Sequence, residues 1–85
     1  MNYQIEFTRQ AKKDYEKVKR SPHAKKLKQL LKIVQQNPFT PPYEALGNEL
    51  KGLYSRRINK KHRLVYRIVK KKIIIVSVWS HYEKI

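Results

Sequence analysis

Residues 53–79 read LYSRRINKKHRLVYRIVKKKIIIVSVW, and this stretch decides the fold. Leu53 to Ile58 and Arg63 to Val69 are rich in strand-forming residues and flank Asn59-Lys60-Lys61-His62, so they predict a hairpin. Lys70-Lys71-Lys72 turns the chain again. Ile73 to Trp79 is apolar at both alternating sets of positions, the pattern of a central strand covered on both faces.

Upstream, residues 37–52 hold three of the four prolines and both glycines, and read as an ordered loop. Before it, Leu27, Leu30, Leu31 and Val34 repeat at helical spacing, with Ser21-Pro22 as N-cap and first residue and Asn37-Pro38 as the stop. Ala11, Tyr15 and Val18 give an earlier helix one apolar stripe, and Thr8 can cap it. Tyr3, Ile5 and Phe7 alternate with polar residues at strand period. The order β-α-α-β-β-β predicts an α+β fold, with two N-terminal helices packed on one face of a mostly antiparallel sheet. The N-terminal strand is expected beside Ile73 to Trp79.

Composition narrows the function. At 85 residues the chain is expected to form a single domain, 1–85. Twenty-one basic residues against six acidic ones give a net charge of +15, which points to a polyanionic partner. No cysteine is present, so thiolate metal sites and disulfide scaffolds are excluded. Residues 1–7 lack the pattern of a signal peptide, and Ile73-Ile74-Ile75-Val76 is far too short to cross a bilayer. The expectation is a cytoplasmic protein without a membrane partner.

Histidine beside tyrosine, His81-Tyr82, downstream of a basic hairpin suggests that the polyanion is also a substrate. RNA carries its own nucleophile, the 2′-OH. Cutting it takes a base for that proton, fixed cations for the phosphate, and an acid for the leaving 5′-oxygen. Arg57 and Arg63 flank the hairpin turn. In suitable register they share one sheet face about 5 Å apart, and their forks match phosphate geometry. By alternation Arg56 points away from Arg57, toward RNA or a partner. Of the six carboxylates, Glu44 and Glu49 lie in the loop that feeds the hairpin and stand as near equals for the base. Tyr54, Tyr66 and Trp79 read as core or sheet-face residues, and His62 as a structural residue at a strand start.

Beyond these readings, the blocks Asn37-Pro38-Phe39, Glu44-Ala45-Leu46, Leu50 to Ile58, His62-Arg63-Leu64-Val65-Tyr66 and His81-Tyr82, with their spacing, resemble the YoeB/Txe toxins of the wider RelE group. The resemblance implies a RelE-like toxin of a type II toxin–antitoxin system. Such a toxin is a metal-independent, ribosome-dependent endoribonuclease that cuts messenger RNA in the decoding site and inhibits translation, with no cofactor. It implies Glu44 as general base, Arg63 as phosphate ligand, His81 as general acid, Tyr82 beside it, and Arg57 as a supporting cation. Expected partners are mRNA, the ribosome and an acidic antitoxin of YefM type, in a homodimer or a toxin–antitoxin hetero-oligomer.

Two departures stand out. Ala45 and Gly47 replace a proline and a basic residue of the family pattern, which predicts a less rigidly held Glu44. The chain also runs on past the tyrosine through Glu83-Lys84-Ile85. A non-catalytic basic RNA-binding protein, such as a small ribosome-associated protein, is the alternative. It would need neither Glu44 nor His81.

Overall fold

The computed structural model describes residues 2–78. Their elements are β1 (Gln4–Phe7), α1 (Arg9–Lys19), α2 (Ala24–Gln36), β2 (Glu44–Ala45), a 3-10 turn (Asn48–Leu50), β3 (Leu53–Arg57), β4 (Arg63–Val69) and β5 (Lys72–Ser77). They form one five-stranded sheet in the order β1-β5-β4-β3-β2, antiparallel except where β1 lies parallel to β5.

Each helix begins and ends for a local reason. The Thr8 hydroxyl accepts the Ala11 N–H at 3.1 Å and so caps α1. Lys17 and Lys19 sit in its last turn, where positive charge complements the helix dipole. The helix α2 starts at Ala24, later than Ser21-Pro22 predicts. Ser21 Oγ instead donates to the Val18 carbonyl at 2.7 Å and accepts the His23 N–H at 3.1 Å. The serine therefore closes the turn between the helices and does not open the second one. The stop at Asn37-Pro38 is as expected.

Both helices lie against one sheet face. Ala11 and Val18 of α1, and Leu27, Leu30 and Val34 of α2, are buried against Leu64, Tyr66, Ile73, Ile75 and Val78. Each fully buried Leu, Ile or Val contributes about 1.5–3 kcal/mol, so this one layer carries most of the fold. Ile74 and Val76 point to the other face and are only half-buried. The two-faced cover predicted for this strand is thus incomplete, because both helices sit on the same side.

A bulge steers the chain at the far end of β5. Tyr66 pairs with Ile75, yet Val65 pairs with Ser77, so Val76 is an extra residue in a β-bulge. The segment beyond Val78, with Trp79 at the end of the predicted strand, lies outside the described residues.

Candidate active site

The hairpin register brings the basic residues together. Arg57 and Arg63 are directly opposed Cα partners, and directly opposed residues project from the same sheet face. Glu44 is opposed to Ser55, two residues before Arg57, so it shares that face and lies diagonal to Arg57. Diagonal neighbours stand about 7–8 Å apart, within reach of long side chains. Glu44, Arg57 and Arg63 therefore gather on the helix-free face.

All three line a cleft of about 830 Å³, which continues round the edge of β3 to Tyr43, Ile33 and Lys26. Glu49 does not line it; the 3-10 turn holds it on the neighbouring surface. Of the two loop carboxylates, only Glu44 meets the arginines. Among the described residues these three groups form no ion pair with one another, and the one salt bridge is the exposed Lys72–Glu6 contact at 3.2 Å. Arg63 is half-buried, and its Nε is buried with no acceptor among the described residues. Buried donors are rarely left unsatisfied, so a guanidinium of this kind suits an incoming anion.

Glu44 lies in the edge strand β2, with Ala45 beside it. It pairs with Ser55 across β2 and β3, and the Leu46 N–H bonds the Leu53 carbonyl at 2.9 Å.

Arg56 departs from its expected place at the RNA. It is 2% exposed and turned to the helix side. Its Nε donates to the Tyr66 hydroxyl at 3.1 Å, Nη1 to the Pro42 carbonyl at 3.1 Å and Nη2 to the Pro38 carbonyl at 2.8 Å. The Tyr66 hydroxyl donates to the same Pro38 carbonyl at 2.8 Å. A buried guanidinium is costly unless its donors are met, and here they pin both ends of the segment Pro38–Pro42 that leads into Glu44. Burial pushes the Tyr66 hydroxyl above its ordinary pKa of 10.0, against the opposing pull of Arg56. Phe39, Tyr43 and Tyr54 pack edge to face beside this anchor, with ring centroids 5.7–6.0 Å apart.

Sequence reasoning missed Arg56 and Tyr66 as supports of the Glu44 loop. Strand alternation held the signal, since a residue opposite in face to Arg57 must turn toward the helices. His81 and Tyr82, with the Glu83-Lys84-Ile85 tail, lie outside the described residues.

Residues 7–82 match the family model of the YoeB-like toxin of bacterial type II toxin–antitoxin systems. Toxin YoeB of Synechocystis is 39% identical over 62 residues, covering 71% of this chain and 72% of that protein. Toxin YoeB of Escherichia coli K12 is 37% identical over 60 residues, with 68% and 71% covered. Among solved structures, the YoeB dimer from Staphylococcus aureus is similar with a TM-score of 0.82 at 37% identity, covering 96% of this chain and 100% of that one. The heterotetrameric YoeB–YefM complex from the same organism gives 0.81 and 37%, with the same coverage.

Proposed function

This chain belongs to the YoeB-like toxin family of bacterial type II toxin–antitoxin systems, and from that premise we propose that it is an endoribonuclease that cuts messenger RNA on the ribosome. The observation that carries the proposal is the cleft that opens beside Glu44, Arg57 and Arg63 and runs round the edge of β3 to α2. One carboxylate and two arginines meet there without neutralising one another, and a buried Arg63 donor lacks an acceptor among the described residues.

The chemistry follows from those groups. Glu44 takes the proton from the 2′-OH, whose oxygen attacks the adjacent phosphorus. Arg63, supported by Arg57, holds the phosphate oxygens as negative charge develops. His81 gives a proton to the 5′-oxygen as the P–O bond breaks, leaving a cyclic phosphate and a free 5′-OH. Tyr82 contacts the phosphate or stacks on a base. Five groups are few to fix the in-line geometry of a flexible RNA, so the decoding site supplies the alignment. This work is cytoplasmic, and no helix among the described residues is long and apolar enough to span a membrane.

The test is cleavage of mRNA in a translation extract, with circular dichroism as the fold control. Glu44→Ala, Arg63→Ala and His81→Ala should each lose about 10²–10⁴-fold while keeping the fold. Full activity in all three would overturn these residue assignments, whereas a wild-type chain that binds RNA and cuts none would leave the RNA-binding alternative standing.

A matching antitoxin completes the proposal. The S. aureus relative assembles with YefM, and this chain's +15 charge suits an acidic partner of the same type. Its C-terminal segment, disordered when free, folds along the basic hairpin and covers Arg57, Arg63 and His81 in a toxin–antitoxin hetero-oligomer. Co-expression with a neighbouring acidic protein should yield a co-purifying, nuclease-silent complex. If the two do not associate and growth is not rescued, this partner is wrong.

A further inference from the structure

Among the described residues Asp14 is the only buried carboxylate, 4% exposed, and it has no cationic partner. Nothing in the cleavage chemistry uses it. Oδ1 accepts from Gln10 Nε2 at 2.9 Å, within its own helix. Oδ2 accepts the Val78 N–H at 3.3 Å and faces the Ser77 hydroxyl at 3.5 Å. Thr8, the cap of the same helix, gives its N–H to the Ile75 carbonyl at 3.0 Å and its hydroxyl to the Val76 carbonyl at 3.1 Å. Four consecutive residues, Ile75 to Val78, are thus held by two side chains and one amide from the start of α1. Val76 is the bulge residue, whose extra carbonyl Thr8 satisfies.

A buried carboxylate costs free energy, and a plain apolar residue would pack here more cheaply. What an apolar residue could not do is receive the Val78 N–H and so fix where the chain leaves the sheet. His81 follows Val78 by three residues, an extended reach of at most about 11 Å. A shift of Val78 therefore has little intervening chain to absorb it before His81.

We propose that Asp14, helped by Thr8, is a positioning residue for the general acid: it fixes the backbone at Ser77 and Val78, where the chain leaves the sheet three residues before His81. The proposal rests on His81 acting as the general acid, as in the preceding subsection. Asp14 touches no substrate; it acts through the backbone of β5.

Two readouts test it on the full chain. The first is acrylamide quenching of Trp79, the single tryptophan, next to Val78. Asp14→Ala should raise its quenching constant while the circular dichroism spectrum stays the same; Asp14→Asn, which keeps an oxygen for Val78, should largely restore the wild-type value. The second is ribosome-dependent cleavage. Asp14→Ala should lower kcat by about 10²-fold with KM unchanged, since a displacement of about 1 Å has that effect. Added to His81→Ala, it should cause no further loss. If Asp14→Ala does not fold, Thr8→Val and Asp14→Asn are read in the same two assays. Unchanged quenching, or losses that multiply with those of His81→Ala, overturns the positioning role. A wild-type chain that cuts nothing refutes the nuclease reading instead, and the quenching result still decides whether Asp14 holds the segment.

Discussion

Replacing Arg56 with methionine keeps the side-chain length and removes three hydrogen bonds at once. A bond to a charged group is worth about 1.5–3 kcal/mol net. Pro42 is exposed, so water replaces the guanidinium at its carbonyl. The Pro38 carbonyl keeps its bond from Tyr66, and methionine avoids the desolvation of a charge. Two buried bonds, taken at the lower end of the range, set the loss at about 3 kcal/mol. A chain of this length has about 4–13 kcal/mol in all, so the variant remains folded but close to its margin. At about 4–8 °C per kcal/mol, the Tm should fall by roughly 12–24 °C. Thermal and urea unfolding measure the loss. Cleavage, assayed where the variant is still folded, should also fall, because the Pro38–Pro42 segment no longer anchors Glu44. Arg56→Lys should lose nearly as much, since an ammonium cannot reach three divergent acceptors. A stable Arg56→Met protein with weakened RNA affinity would refute the reasoning and return Arg56 to the RNA surface.

Other expectations follow from particular groups. Tyr66 has a raised pKa in the folded chain, so its contribution is complete below pH 10 and is lost as pH climbs above that through the folded value, where the unfolded chain has already given up the proton. Tyr66→Phe should remove that component, flattening the alkaline fall in urea midpoint relative to wild type. Gly52 has φ +98°, and Gly52→Ala should cost about 1 kcal/mol or more from strain alone, read as a lower urea midpoint with unchanged slope. Naked RNA should bind well at low salt and lose affinity steeply toward physiological salt, with a log–log slope that becomes shallower by about one unit in Arg63→Ala if Arg63 meets a phosphate.

Much of the fold was legible because its signals are local. Alternation exposed β1 and the hairpin, helical spacing exposed α1 and α2, and β1 was expected beside β5, although its parallel sense was not. What stayed hidden depended on distant parts of the chain. The strand β2 has two residues, too few for any period, and exists only because β3 offers a free edge. The residues alone left Glu44 and Glu49 near equals; the family resemblance chose Glu44, and the pairing of β2 supplies the physical reason by carrying that carboxylate to the arginine face. The burial of Arg56 needed two carbonyls, 14 and 18 residues upstream, to arrive on the helix side. Asp14 looked like one more polar helix residue, because its partners Ser77 and Val78 lie over 60 positions away.

The parallel pairing of β1 with β5 has a consequence for synthesis. The first strand made can dock only on the last, since β5 is its one neighbour in the sheet. Phe7 pairs with Ile75, 75 − 7 = 68 residues later, which at 5–20 residues per second is a wait of roughly 3–14 s. Throughout that interval the sheet has an unfilled side, and the arginine face has no finished scaffold beneath it. The layer beneath the arginine face is therefore closed only after Ile75 has been made.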